Sequence, residues 1–279
     1  MTTAIDRLAI GAAALLISAT TVQAQTVSSN VEGSVGGAAT VSDPQGPSTT
    51  GDVQSSGQWI DGFDFDFAGP AFGEAAQRLS GVGAVAVEGL FADGSQSNAI
   101  TATTTWTDSA TNNSAGPTSF SFTFLISPAE LSLRDFAGLE ITDPVVPEAE
   151  FELSITANGV QIFQSSALLR GGNISHSLTE TGTSLGPVAG PSPGPVSYDF
   201  QPFGDVLALG TFNPGESVTV IYEMRASIDS PGFETGGRAR VGDPFDLDGM
   251  PGFTGSIIPD NPVATSSSSW GQLKSLYDN

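Results

Sequence analysis

Cysteine is absent from the 279-residue sequence, and histidine occurs once, at His176. Without cysteine an exported chain has no disulfide bonds, so its fold must be stabilised by the burial of side chains. His176 lies in the Gly/Ser-rich stretch GGNISHSL, and no Gly-x-Ser-x-Gly motif sits between a strand and a helix. These absences argue against nucleophilic catalysis by a Cys-His or Ser-His-Asp set, and against a zinc site.

Basic residues are scarce as well. Lys and Arg together number 8 against 30 Asp and Glu, which gives a formal net charge of −22 at pH 7. Binding to nucleic acid or to an anionic membrane surface needs a basic footprint, which this chain does not have. The acidic excess fits a well-solvated surface, and it also favours cation binding or life in salty surroundings.

Long apolar runs are confined to the N-terminus of the sequence. Residues 8–19 form one such run after Arg7, and the small residues of Val22-Gln23-Ala24 follow it. This order is typical of a signal peptide over residues 1–24, with a buried N-terminal helix as the alternative. No later run is long enough to cross a bilayer, so we expect no membrane-spanning segment and a secreted or cell-surface protein.

Composition divides the remaining chain into three parts. Residues 25–57 are rich in Ser, Thr, Gly, Gln and Ala, and such a segment buries too little apolar surface to offset its ordering entropy. They are therefore predicted to be a flexible leader, with an edge strand within 31–41 as an option. Residues 58–258 are predicted to form one domain, and residues 259–279 a linker and a short amphipathic tail.

Alternation of apolar and polar residues predicts an all-β domain. In TSFSFTFLI (118–126) every second residue from Phe120 to Ile126 is large and apolar, as in a half-buried strand. Comparable runs cover 59–67, 84–91, 98–107, 149–157, 159–164, 196–200, 206–212 and 216–228. About ten short strands separated by Gly, Pro and Asn turns predict an antiparallel β-sandwich of jelly-roll-like arrangement.

Turn signals connect several of these runs. Asn158-Gly159 is a strong two-residue hairpin signal, and Asp93-Gly94 predicts a turn that joins the runs on either side of it. Ser127-Pro128-Ala129-Glu130 has the form of a capping box, which indicates a short helix. The alternation of Leu131 and Leu133 favours a strand for the same segment, so both alternatives stand.

An acidic loop is the best candidate for a metal site. GDPFDLDGMPG (242–252) places Asp243, Asp246 and Asp248 close together, and Gly249 permits a sharp turn. Calcium takes hard oxygen ligands on flexible loops, so the segment predicts a Ca²⁺ site, with an ordinary Asp/Gly/Pro turn as the alternative. A second, weaker cluster comprises Asp61, Asp64 and Asp66.

Exposed aromatic residues are candidates for carbohydrate binding. Trp59, Trp106 and Tyr198 lie in or beside predicted strands, where β-sandwich modules present rings to sugars. Trp106 is flanked by threonines that would face the opposite way, and it could equally pack inward. Paired carboxylates for glycoside hydrolysis remain a further alternative, although the sequence does not single out two of them.

The last predicted strands carry recognisable motifs. NPGESVTVIYEMRASIDSPG (213–232) joins a Pro/Gly turn to a long strand, and RARVGDPFDL (238–247) ends a strand in Gly-Asp-Pro. Together with the hairpin NGVQIFQSSALLRGG (158–172), these motifs resemble the PEP-CTERM (exosortase-type) exported bacterial proteins, over about residues 80–258. The resemblance implies a secreted, surface or biofilm-matrix protein of β-sandwich type, usually without an assigned activity.

The C-terminal residues depart from that family. Its members end in a Pro-Glu-Pro motif, an apolar helix and a basic cluster, whereas this sequence continues into a serine run and SSSSWGQLKSLYDN (266–279). Exosortase processing is therefore not expected. The tail can form one apolar stripe from Trp270, Leu273, Leu276 and Tyr277. It is predicted to be either a frayed end or a short segment that docks on its own domain or on a partner, and the docking alternative suggests a different attachment or export signal.

These observations lead to one main expectation and two alternatives. The main expectation is a secreted, non-enzymatic β-sandwich protein with a structural or adhesive role in the extracellular matrix or at the cell surface. Its expected partners are extracellular polysaccharides or other surface proteins. The first alternative is a calcium- or carbohydrate-binding module, and the second is a carboxylate-based, glycan-active enzyme.

Overall fold

A computed structural model describes residues 25–260 except 35–40, 60–70, 92–97, 128, 136–137, 144, 191–195, 231–234 and 245. The predicted signal peptide, the cluster of Asp61, Asp64 and Asp66, and the tail stripe from Trp270 to Tyr277 lie outside the described residues. The described part contains strands and turns without a helix, so it has no helix long and apolar enough to span a bilayer.

The strands are numbered in chain order. They are β1 (Thr26–Ser34), β2 (Val41–Ser42), β3 (Gln45–Ser48), β4 (Val53–Trp59), β5 (Ala71–Gln77), β6 (Val82–Phe91), β7 (Asn98–Thr111), β8 (Thr118–Ile126), β9 (Ala129–Asp135), β10 (Glu148–Ala157), β11 (Val160–Gly171), β12 (His176–Gly182), β13 (Pro187–Ala189), β14 (Val196–Phe200), β15 (Phe203–Phe212), β16 (Ser217–Ser230), β17 (Thr235–Val241) and β18 (Phe253–Pro259).

Two antiparallel sheets pack face to face. The first sheet has the order β12-β11-β10-β16-β7-β1-β2, and β3 also pairs with β1. The second sheet has the order β13-β14-β9-β17-β6-β18-β8-β15, and β5 joins it by pairing with β6 and β4. The predicted all-β antiparallel sandwich is confirmed, although its strands are more numerous than the sequence patterns suggest.

A single large core fills the space between the sheets. The second sheet contributes Phe120, Phe122, Phe124 and Ile126 at alternate positions of β8, all buried, which confirms the alternation predicted for this strand. The first sheet contributes Phe151 and other apolar side chains of β10, β16 and β7. Burying a large apolar side chain contributes about 1.5–3 kcal/mol, so this layer of aromatic rings can replace the missing disulfides.

The hairpin between β10 and β11 forms as predicted. Asn158 and Gly159 are its two turn residues, with φ values of 49° and 78°. Positive φ at both central positions is characteristic of the type I′ turn, whose twist matches that of the flanking strands. The Asn158 amide oxygen also accepts a 2.9 Å hydrogen bond from the backbone N–H of Thr219 on β16, which ties the turn to the neighbouring strand.

The prediction of a flexible leader over residues 25–57 is wrong for much of that segment. Strand β1 lies inside the first sheet, paired with β7 along its whole length, and Val27 and Val31 are buried in the core. Between them the Ser29 hydroxyl shares a 2.7 Å hydrogen bond with the Ser55 hydroxyl. Small and polar side chains can therefore occupy this strand, because the burial of two valines and the hydrogen bond between the two serines hold it in the sheet.

Two further sequence predictions are resolved by the topology. The segment 129–135 is strand β9, so the strand alternative holds there and the short-helix alternative does not. Strands β6 and β7 belong to different sheets, so they do not form the hairpin expected around Asp93-Gly94. The side-chain alternation of the two runs was recognisable in sequence, whereas the choice of partner strands is made by pairings with distant parts of the chain.

Candidate ligand pocket on the outer face of the second sheet

A cavity of about 290 Å³ opens on the second sheet at strands β5, β6 and β17. Its lining residues are Phe72, Glu74, Ala86, Val87, Glu88, Arg238, Arg240, Gly242, Asp243 and Pro244. The neighbouring side chains of Ala75, Val85 and Ala239 belong to the core between the sheets. Because successive side chains of a strand alternate between faces, the charged residues of this set project from the outer face.

Strand register explains why a hollow exists at this place. Glu74 of β5 and Arg240 of β17 both lie opposite Ala86 of β6, one on each side of it. The alanine methyl group is too short to fill the space between two long side chains. Phe72 closes the hollow along the strands, and Asp243 and Pro244 bound it from the loop that follows β17.

Both arginines of the pocket are held by carboxylates. Arg238 donates a 2.7 Å hydrogen bond from Nε to Glu88, and its guanidinium lies 3.5 Å from the carboxylate of Glu130 on β9. Arg240 forms an ion pair of 2.7 Å with the same Glu130. The resulting ladder of alternating charges fixes the arginine side chains across three strands and largely neutralises their charge.

Glu74 differs from the other acids of the pocket. It is 8% exposed, yet no hydrogen-bond or ion-pair partner for its carboxyl group is found among the described residues. Burial, and secondarily the negative charge of Asp243, raise the pKa of Glu74 from 4.5 to about 7. A carboxyl group in this position is half protonated near neutral pH and becomes fully charged only at a cost.

The acidic loop does not assemble as the predicted calcium site. Asp248 forms a 2.6 Å ion pair with Arg78, and the hydrogen bond and charge of Arg78 lower the pKa of Asp248. Asp246 closes its own turn by accepting a 3.0 Å hydrogen bond from the N–H of Gly249. Asp243 lines the pocket instead. No group of three or more His, Cys, Asp or Glu in the described residues is arranged to hold a metal ion.

Leu247 supplies the physical reason for the loop conformation. It lies between Asp246 and Asp248 in sequence but is buried, in a small cluster with Ala76 and Ala84, and Val82 packs against that cluster. The loop therefore lies over the outer face of the second sheet, held down by one apolar side chain. The carboxylates on either side of Leu247 are thereby directed to Arg78 and to the loop backbone rather than towards one another.

The three aromatic residues predicted to bind carbohydrate lie in different environments. Trp106 is 1% exposed, stacks on Tyr222 at 5.5 Å between ring centroids, and donates a hydrogen bond to the carbonyl of Leu79. A ligand-binding role for Trp106 is therefore wrong, and the inward-packing alternative holds. Tyr198 is partly buried, with its hydroxyl 3.3 Å from Nε2 of His176. For Trp59 the backbone is placed at the end of β4, opposite Ala71.

Sequence reasoning did not identify the pocket residues Glu74, Glu88, Arg238 and Arg240. A signal for them exists, since a lone glutamate among small residues in AFGEAAQ (71–77) and the Arg-Ala-Arg alternation of β17 both indicate charged side chains on one strand face. Their meeting depends on the pairing of β6 with both β5 and β17, and those pairings join segments that are far apart in the chain.

A scan against models of known protein families finds no match for this chain, and a search among curated proteins finds no significant relative. The resemblance to PEP-CTERM proteins consequently stays a prediction. Conclusions about function have to be drawn from the pocket and the strand architecture.

Proposed function

We propose that this protein is an exported, non-enzymatic β-sandwich of the extracellular matrix or cell surface, and that it adheres to its target through the outer-face pocket. The signal-peptide pattern and the lack of cysteine support the location. The observation that carries the binding role is the buried Glu74 carboxyl group, which lines an open cavity without a described partner.

A lone buried acid is unfavourable for the isolated protein. An unpaired carboxylate loses its hydration on burial, and a well-packed apolar or paired residue at the same place would be more stable. A ligand that supplies the missing partner compensates this cost, and such convergent polar groups in a concavity are typical of binding sites. The ion-paired arginines hold the surrounding walls in place before any ligand arrives.

Binding is favoured over catalysis by the form of the pocket. Its volume of about 290 Å³ lies at the lower end of the range for ligand sites. A glycosidase needs two carboxyl groups on opposite sides of a scissile bond, with room for a sugar on each side of that bond. Glu74 and Asp243 line one small hollow, which suits a single group of a ligand.

The proposal is tested with a variant that fills the pocket. Ala86→Leu places a larger side chain on the pocket floor, and Ala208→Leu adds the same atoms at an exposed position of β15. Purified proteins that show matching thermal unfolding are incubated with cell envelopes and matrix from the producing cells. We expect Ala86→Leu to lose at least about tenfold in adsorption, since overfilling excludes the ligand, and Ala208→Leu to adsorb like the wild type.

Three results would contradict the proposal. Equal adsorption of Ala86→Leu and the wild type would show that the pocket takes no part in adhesion. Recovery of the unprocessed chain in the cytosol of fractionated cells would contradict the proposed export. Release of soluble sugars from matrix by the wild type, but not by Glu74→Gln, would replace adhesion by the glycan-active alternative.

A further inference from the structure

The charges of the pocket favour a positively charged ligand. Four carboxyl groups, those of Glu74, Glu88, Glu130 and Asp243, surround two guanidinium groups, so the set carries a net negative charge when all are ionised. Glu88 and Glu130 are engaged by the arginines. The carboxyl group of Glu74 is therefore the acid that can pair with an incoming cation.

The remaining walls of the pocket are apolar. Phe72 presents a partly exposed ring, and Ala86 and Pro244 add aliphatic surface. Apolar walls bind a hydrocarbon portion of a ligand, and an aromatic ring attracts a nearby cation through its π face. The site thus combines an acid with a lining suited to a short alkyl chain.

A bare metal ion fits this arrangement less well. Calcium requires six to eight oxygen ligands at about 2.3–2.6 Å, and most of the walls here carry carbon atoms or guanidinium groups. No three metal-ligating side chains are grouped in the described part of the chain. An organic cation uses both the acid and the apolar walls.

We infer that the pocket binds the primary ammonium group of an alkylamine, with Glu74 as its counter-ion and Phe72 beside its alkyl chain. This inference rests on the adhesive function proposed for the same pocket. The ammonium could belong to a lysine side chain of a surface protein or to a free amine, and the two sources share this chemistry. A primary ammonium offers three N–H donors, which a buried carboxylate accepts in short, charge-assisted hydrogen bonds.

Binding should strengthen with pH. Glu74 carries its proton for part of the time at neutral pH, and an ammonium ion needs the charged form. The groups that face it are Asp243 from the loop, Glu88 from β6, and Arg238 and Arg240 from β17. Affinity is expected to rise between pH 5.5 and 8.5, by roughly tenfold per unit below the pKa of Glu74 and less above it.

The test uses n-butylamine as the probe and n-butanol, its neutral counterpart, as the control ligand. Binding to the full-length protein at pH 8 is followed by isothermal titration calorimetry and by NMR shifts. We expect a dissociation constant of about 1–10 mM for the amine, in keeping with its few atoms, and no saturable binding of the alcohol. Glu74→Gln should weaken amine binding at least about tenfold, and Glu223→Gln, on the first sheet, should leave it unchanged.

A second pair of probes distinguishes a protein lysine from a free amine as the source of the ammonium group. Nα-acetyl-lysine methylamide represents a protein lysine, and putrescine represents a free polyamine. Tighter binding of the lysine derivative supports a protein partner, and tighter binding of putrescine supports a free amine. Saturable binding of glucosamine without binding of n-butylamine would overturn the alkylamine class.

The outcomes also separate this inference from the proposed function. Equal affinity of n-butylamine for the wild type and Glu74→Gln, or equal affinity for n-butanol, would overturn the ammonium site. If that happens while Ala86→Leu still loses adsorption, the adhesive function stands with another ligand. If amine binding depends on Glu74 while Ala86→Leu adsorbs normally, the site stands and the adhesive function falls.

Discussion

The phenol of Tyr222 donates a 2.7 Å hydrogen bond to the side-chain oxygen of Gln77, and this bond connects the two sheets inside the core. Tyr222 belongs to β16 of the first sheet and Gln77 to β5 of the second, and both side chains are buried. Gln77 also donates a 3.0 Å hydrogen bond to the carbonyl of Val82, so it holds the turn between β5 and β6. Burial raises the pKa of the Tyr222 phenol, which keeps it a neutral donor.

Tyr222→Phe should destabilise the fold by about 1–3 kcal/mol. Removal of the hydroxyl leaves the Gln77 oxygen buried without its donor, and an unsatisfied buried acceptor bears its full desolvation cost. The measurement is the free energy of unfolding in urea. Tyr198→Phe is the matched control, because its hydroxyl contacts His176 near the surface, and its effect should be small.

A double variant sharpens this prediction. Gln77→Met combined with Tyr222→Phe removes both polar partners. The double variant should therefore lose less free energy of unfolding than the sum of the losses in the two single variants. Equal stability of Tyr222→Phe and Tyr198→Phe would show that the bond between the sheets contributes nothing measurable.

The strands of this fold were easier to predict than their partners. The alternation from Phe120 to Ile126 is visible in sequence because each second residue must enter the core. Most of strand β1 was not predicted, because its inward side chains are small and it is held in the sheet by pairing with β7, about 70 residues away along the chain. The optional edge strand within 31–41 overlaps only its last residues. Local patterns carry no information on such distant pairings, which is also why β6 and β7 were joined in error.

Glu74→Gln should stabilise the protein at pH 8 and leave it unchanged at pH 4. The folded-state pKa of about 7 lies above the unfolded value, so the wild type loses stability as pH rises from about 4.5 to 7. The loss is roughly 1–3 kcal/mol, allowing for screening at the open side of the pocket. Asp243, Glu88, Arg238 and Arg240 face the same carboxyl group and are unchanged in the variant.

Thermal and urea unfolding of the wild type and Glu74→Gln across pH 4–8 checks the predicted gain in stability. The exposed Glu223→Gln serves as the control and should shift stability by less than about 0.5 kcal/mol at either pH. A loss of stability in Glu74→Gln at pH 8 would mean that the carboxylate has a favourable partner in the folded protein.

Gly159→Ala should destabilise the β10–β11 hairpin by about 1 kcal/mol. No atom lies within 4 Å of the position that a Cβ would take, so the cost arises from the φ of 78° alone. Gly116→Ala is a matched control, with equally open space and no positive φ, and should be neutral or slightly stabilising. If both variants unfold at the same denaturant concentration, backbone strain does not limit this turn.

Leu247→Ala should loosen the loop that follows β17. The side chain is the apolar contact of that loop with Ala76 and Ala84, and its truncation should cost about 2 kcal/mol. Amide hydrogen exchange at residues 246–250 should accelerate more than exchange in the sheets. Asp248→Asn removes only the exposed ion pair with Arg78 and should have a much smaller effect on both measurements.

The same loop shows why the candidate site was harder to predict than the fold. Three aspartates at short spacing suggest a shared cation, but the spacing does not reveal that Leu247 between them is buried. Trp106 was likewise ambiguous in sequence, since the flanking Thr105 and Thr107 show only that it faces the other way, and a threonine on its own face, Thr104, is buried here. The pocket acids are isolated in sequence and meet only through strand pairing.

Strand β16 is the shared neighbour of β7 and β10, although it is made after both of them. A chain that emerges from the ribosome N-terminus first holds these two strands with open edges until residue 230 has been added. The second sheet is also incomplete at that stage, because β17 and β18 are synthesised later still. Native pairing in both sheets is therefore delayed during synthesis until these late strands have been made.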